Sequence, residues 1–192
     1  MQTKKTIKEL QEEYSKLSQE ELDKLGKKED VYMTSSDEIF GNNSYDTPRI
    51  IAIYWRPALR GKDAKIADYL IYKTWGFDHR FGEPKRDSIA FSQITDGTIG
   101  TYEGKEIRYD YGAGISKSSA GEGLIVLEFL EIIEVVREKD EKGVSYTNKY
   151  RIKTADEWSN LSLSQKKIFM LEDPFLKVAR ALKYLKDNGL IR

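Results

Sequence analysis

The sequence predicts an α+β chain that is mostly α, and three observations carry that prediction. From Gly114 to Ile152 a turn, a helix, a strand, a charged tip and a second strand follow one another. Upstream, Lys62 to Trp75 has the apolar spacing of an amphipathic helix, with Ala67, Leu70, Ile71 and Thr74 on one face. At both ends, polar segments carry short helical stripes. That order is the order of a winged helix-turn-helix domain with helical N- and C-terminal extensions. Such a domain usually lays its recognition helix in a DNA major groove and sets the tip beside the backbone. The expected division is an N-terminal helical extension over 1–30 and a linker over 31–48. The domain itself covers 49–152 with an insertion at 96–111, and a C-terminal helical extension covers 153–192.

Composition narrows the function classes. The 192 residues suit one domain with extensions, and 39% hydrophobic content is enough for a core. With no cysteine, disulfides, thiolate metal sites and cysteine nucleophiles are excluded. No apolar run approaches the roughly 20 residues of a membrane helix. The first residues, MQTKKTIKEL, lack the apolar centre of a signal peptide, so the expected location is the cytoplasm. Net charge is zero, with 32 basic and 32 acidic residues, which counts mildly against nucleic-acid binding. The distribution is uneven. Residues 49–89 hold nine Lys/Arg and five Asp/Glu, a balance of +4, whereas residues 1–48 sum to −4.

Taken in order, Ile7, Leu10, Tyr14 and Leu17 form a narrow helical stripe, and Ser18 with Glu21 forms a capping box before Leu22 and Leu25. The expected arrangement is a solvated helix lying on the domain, with a dimerising helix as the alternative. Arg49 to Trp55 reads as a short strand or as an apolar segment covering the core, stopped by Pro57. Gly76 ends the helix that follows, and the loop after it carries the single histidine, His79. Ser88 to Phe91 reads as a short strand, after which Ser92 caps a brief helix around Ile94. In 96–111 three glycines break any helix, and Thr101-Tyr102 pairs with Ile107-Arg108-Tyr109 in a small hairpin within reach of DNA or a neighbouring subunit.

Ser116 then opens the recognition helix, whose first turn is polar and whose second half is apolar nearly all round. The strands 132–138 and 144–152 are joined by a tip ending in Gly143, where a positive φ is expected. Residues 154–171 read as helical in part. Asp173-Pro174 starts a helix with Phe175, Val178, Leu182 and Leu185 on one face.

The candidate DNA-binding residues fall into three groups. Lys117, Ser118, Ser119 and Glu122 lie on the exposed face of the recognition helix, where a carboxylate can accept a bond from a cytosine amino group. Arg137, Lys139, Lys142 and Lys149 belong to the wing, interleaved with Glu138, Asp140 and Glu141. Arg56, Arg60, Lys62 and Lys65 cluster at the start of the first core helix, where cations oppose the helix dipole and an outside anion would offset them. Trp55, Trp75 and Trp158 read as core residues. A lone histidine cannot form a two-histidine metal site. No metal, cofactor or catalytic residue is expected: neither a phosphate-binding glycine loop nor a Gly-x-Ser-x-Gly turn occurs. Glu103-Gly104-Lys105 and Glu83-Pro84-Lys85 have a nuclease-like Glu-x-Lys spacing, but such triplets arise by chance in a chain this charged.

Several short motifs, in order, resemble the winged-helix domain at the start of phage replication proteins of the O type and related prophage and plasmid DNA-binding proteins. Lys73-Thr74-Trp75-Gly76-Phe77 resembles that family's Lys-Thr-Tyr-Gly-Phe motif, and Ile89-Ala90-Phe91-Ser92-Gln93 its strand running into Ser-Gln. Gly112-Ala113-Gly114-Ile115-Ser116 is similar to its Gly-Thr-Gly-Leu-Ser turn. Gly123-Leu124, Leu127 and Ile132-Ile133-Glu134-Val135 follow its Ala-Leu to Gly-Leu-Ile-Glu-Val run, and Asn148-Lys149-Tyr150-Arg151-Ile152 its closing Asn-x-Tyr-x-Ile. The resemblance spans about half the chain and implies duplex DNA binding in replication initiation. It also implies that the C-terminal helix recruits another replication protein. Two departures stand out. The helix face carries one lysine and Glu122 where the family has two or more basic residues, and Glu131 stands where the family has a helix-ending glycine. Both point towards the wing and the basic flank as the main contacts. The alternatives are a transcription regulator, dimeric through its terminal helices, and a protein-interaction winged helix without DNA binding.

Overall fold

The computed structural model describes residues 5–25, 32–35, 50–74, 86–102, 104–153, 168–171 and 173–192. The Trp75-Gly76-Phe77 part of the first motif, His79, Glu83 to Lys85, Glu103 and Trp158 lie outside the described residues, as does any helix within 154–167.

The chain is a mixed α+β protein with small antiparallel sheets. Two short helices come first, α1 (Ile7–Tyr14) and α2 (Gln19–Leu25), then strand β1 (Tyr32–Ser35). The segment Ile50–Trp55 forms α3, wound in the wide π form, and runs into the single turn α4 (Arg56–Ala58). It is therefore a helix and not a strand. Ile51, Tyr54 and Trp55 are buried while Ala52 and Ile53 are exposed, a spacing of three and four that only a helix turns to one side. Pro57 falls in the first turn of α4, where its missing N–H has no helical partner to lose.

The centre of the fold begins with α5 (Gly61–Thr74). It continues through β2 (Asp87–Ser88), α6 (Phe91–Asp96) and the hairpin β3 (Ile99–Tyr102)–β4 (Lys105–Arg108) to α7 (Lys117–Phe129). Next come β5 (Ile133–Val136) and β6 (Lys149–Ile152). The predicted strand 88–91 is shorter and earlier than expected: β2 is Asp87–Ser88, although the Ile89 N–H continues the ladder to the Asn148 carbonyl at 3.1 Å. α6 is capped not by Ser92 but by Gln93, whose side-chain oxygen accepts the Ala90 N–H at 2.7 Å. β6 is the middle strand of a three-stranded sheet in the order β2-β6-β5, with Asp87 opposite Tyr150 and Ile133 opposite Ile152.

After β6 comes β7 (Ile168–Leu171), then α8 (Pro174–Asp187), whose Asp173 side chain accepts the Phe175 N–H at 2.7 Å. Of the segment 154–171, expected to be helical in part, the four described residues form a strand. A run of four apolar residues fits either element, and pairing decides it: β7 runs antiparallel to β1, Tyr32 opposite Leu171 and Ser35 opposite Ile168.

One apolar cluster runs from Leu10 of α1 through α3, α5, α6, α7, β5, β6 and α8 to Ile191 near the C-terminus. α5 and α7 cross at its centre. The ends of the chain close on the far end of α7. Tyr14, Phe129 and Tyr184 form an aromatic triplet with centroids 5.1, 5.2 and 5.8 Å apart, and the Gln11 amide donates to the Glu128 carbonyl at 2.6 Å. A side chain of α1 thus bonds directly to the carbonyls of the last turn of α7.

Candidate nucleic-acid interface

α7 begins where Ser116, in extended backbone, accepts the Ser119 N–H at 3.3 Å. Its first turn is polar and its later residues Gly123, Val126, Leu127 and Phe129 are buried, so the helix is held by its second half and presents its first. Lys117 and Ser118 are exposed; Ser119 is half-buried with its hydroxyl 3.1 Å from that of Ser116. Glu122, one turn further on, is already engaged. The Lys62 ammonium of α5 donates to one carboxylate oxygen, and the Arg192 N–H donates to the other at 3.2 Å. Chiefly the Lys62 hydrogen bond holds this carboxyl below its ordinary range. Glu122 and Lys62 are thereby joined across the α5–α7 crossing.

The basic flank is likewise largely paired. Arg60 makes two bonds to Asp63, at 2.6 and 3.0 Å, and Asp63 is fully buried. Arg56 lies 3.0 Å from Asp68, whose carboxyl is pushed up by burial against the lowering pull of Arg56. Lys65 is exposed and makes no ion pair among the described residues.

Just past β5, Arg137 forms a bidentate pair with Glu128 of α7 at 2.7 and 2.6 Å, and this bonding raises its already high pKa. Lys149 straddles Glu138 at 2.9 and 2.8 Å. The tip is shaped by Asp140, which accepts the Lys142 N–H at 2.9 Å and the Val144 N–H at 2.7 Å; Gly143 follows with φ +80°, in the expected region. Lys139 and Lys142 stand exposed on that tip without an ion pair among the described residues. Between α7 and the β5–β6 hairpin lies a half-open groove of about 390 Å³, lined by Phe91, Leu124, Ile125, Val135 and Tyr146, with the Glu128–Arg137 pair in its wall.

The twelve candidate residues thus divide by local pairing. Arg56, Arg60, Lys62, Glu122, Arg137 and Lys149 are committed to bonds within the chain. Lys65, Lys117, Ser118, Lys139 and Lys142 face solvent, and Ser119 sits between the two groups. Sequence reasoning passed over the hub that fixes the inserted hairpin. Asp110 accepts from the Lys73 ammonium at 2.7 Å, the Gly112 N–H at 2.9 Å and the Thr98 N–H at 3.2 Å. Burial alone would raise its carboxyl, but those bonds bring it down to about 2. The only sequence signal for this hub was an acid flanked by two tyrosines at the end of the insertion.

Among the described residues no helix is long and apolar enough to cross a membrane, and no three His, Asp or Glu side chains gather as a metal site would require. No family model, curated protein or solved structure matches this chain.

Proposed function

We propose that this chain is a winged-helix protein that binds duplex DNA, with the first turn of α7 in the major groove and the β5–β6 tip against the backbone. One observation carries the reading: β2 leaves α5, pairs with β6 and hands the chain to α6, so helix, strand, helix, helix, strand, strand close into the β2-β6-β5 sheet. This topology directs the free start of α7 and the tip lysines outwards. Lys65, Lys117, Lys139 and Lys142 supply the electrostatic attraction, and Ser118 and Ser119 the short polar contacts. A role in replication initiation of a phage, plasmid or prophage rests on the motif resemblance, with the C-terminal helix as the surface for a second replication protein. Regulation of transcription, by a monomer or a homodimer, uses the same interface; protection of an origin and not of a promoter in footprinting separates the two.

A second reading, a winged helix that binds protein only, is favoured by one specific observation: five of the candidate cations are neutralised within the chain. Titration of labelled random-sequence duplex at several salt concentrations decides between them. Four phosphate contacts give a slope of log K against log salt near about −3.6, whereas a protein-binding domain gives no association at low salt.

A further inference from the structure

The inserted hairpin leaves the helix-turn-helix and returns to the same point. A Cβ on Gly97, where φ is +86°, would lie 2.0 Å from the Asp110 carbonyl oxygen. One on Gly112, where φ is +68°, would lie 2.7 Å from the Ile94 carbonyl and 2.8 Å from that of Gln93. No other residue fits at either point, because both demand the left-handed backbone region and a bare Cα. The Ala113 N–H, past the hairpin, donates to the Ile94 carbonyl at 2.7 Å, so α6 is joined to the turn before α7 as though nothing intervened. At this pinch the Asp110 hub ties both arms of the hairpin to Lys73 and Tyr69 of α5.

What this anchored hairpin presents is aromatic and cationic. Tyr111 is 77% exposed and Tyr109 58% exposed, the latter with its ring across Gly100. The Arg108 guanidinium sits 5.1 Å over the Tyr111 ring, and one of its N–H groups donates to the Asp96 carbonyl at 2.6 Å. A guanidinium has five N–H donors, so others remain for a phosphate. Lys105 is exposed at the far end. Tyr111 lies six residues before Lys117, a chain length of at most about 20 Å, against a major groove about 12 Å wide. A duplex seated on the start of α7 thus has its flanking backbone within reach of this hairpin.

We propose that the β3–β4 hairpin is a second DNA-contacting element, in which Arg108 and Tyr111, aided by Lys105, hold the phosphate–sugar backbone flanking the groove that α7 enters. The inference rests on the duplex-binding reading. Glu106, exposed and two residues from Arg108 on the same strand, opposes phosphate and tempers the contact.

The test uses the full chain and a labelled random-sequence duplex, comparing wild type with Arg108→Ala, Tyr111→Ala and Glu106→Gln. A deletion of residues 98–111 that joins Gly97 to Gly112 is added, its folding checked by thermal melting. Arg108→Ala is expected to flatten the salt slope by about one unit, and Tyr111→Ala to weaken binding about 3- to 10-fold with the slope unchanged. Glu106→Gln is expected to tighten binding, and the deletion variant to bind more weakly than either alanine variant. If wild type binds while the point variants keep its affinity and slope, the hairpin proposal is overturned and the duplex-binding reading survives. If wild type does not bind, both fall.

Discussion

Two glycines two residues apart on α7 give opposite responses to the same substitution. Sequence propensity treats Gly121 and Gly123 alike: each weakens the helix by about 1 kcal/mol relative to alanine. The structure separates them. A Cβ on Gly121 would meet nothing within 4 Å, so Gly121→Ala is expected to gain about 1 kcal/mol. A Cβ on Gly123 would lie 2.2 Å from the Ile66 Cδ1 and 3.0 Å from an Asp63 carboxylate oxygen. Ile66 is fully buried, and Asp63 is fully buried and held by two bonds from Arg60, so neither yields easily. Overpacking of this kind costs about 1–3 kcal/mol, which cancels or exceeds the propensity gain. Gly121→Ala is therefore expected to be more stable than Gly123→Ala by about 1–3 kcal/mol. The assay is urea unfolding followed by circular dichroism, read as a shift in midpoint at constant m. A Gly123→Ala protein as stable as Gly121→Ala would refute the close crossing of α5 and α7.

Other expectations follow from single contacts. Glu131 has φ +59° at the end of α7, where the Ile132 N–H reaches the Leu127 carbonyl at 2.9 Å and the Glu131 N–H the Glu128 carbonyl at 3.0 Å. A branched side chain tolerates that region worst, so Glu131→Val is expected to be less stable than Glu131→Gly by about 1–2 kcal/mol; equal midpoints would contradict the left-handed cap. Arg60→Ala strands the buried Asp63 carboxylate and is expected to lose about 3 kcal/mol, whereas Lys65→Ala leaves the urea midpoint in place. Asp110 has a folded pKa of about 2, below the ordinary value of 3.8, so its stabilisation is complete above about pH 4 and is lost as pH falls through about 2. Asp110→Asn is expected to be about 2 kcal/mol less stable than wild type at neutral pH, with the gap closing between about pH 4 and 2 in a series of urea titrations. A gap that stays constant across that window would remove the hub.

Much of the central architecture was legible because its signals are local. The Ser116 cap, the apolar second half of α7, the Asp173-Pro174 start and the Gly143 tip each occupy a few adjacent residues. Pairings between distant segments were not. Nothing in Ile168–Leu171 announces Tyr32–Ser35 as its partner, and a strand of four residues has too few positions to show a period. The π-wound Ile50–Trp55 looked strand-like because it is β-branched and aromatic, yet burial of Ile51, Tyr54 and Trp55 on one side overrode that preference. At the candidate interface, sequence showed which residues carry charge but not which charges neutralise one another. Glu122 has the chemistry of a base-reading group, but Lys62, sixty positions earlier, bonds it across the helix crossing. The capping box of Thr6 and Glu9 was readable and passed over, and it is what starts α1.

In the proposed function the outward-facing lysines meet phosphate while the paired ones hold the fold. The most direct test compares the salt dependence of duplex binding for wild type, for Lys65→Ala/Lys117→Ala/Lys139→Ala/Lys142→Ala together, and for Arg56→Ala/Lys149→Ala together. The fourfold variant is expected to lose about 3–4 units of slope, since each phosphate contact contributes about 0.9, while the paired-residue variant keeps the wild-type slope. Equal slopes in wild type and the fourfold variant, or loss confined to the Arg56/Lys149 variant, would contradict this reading.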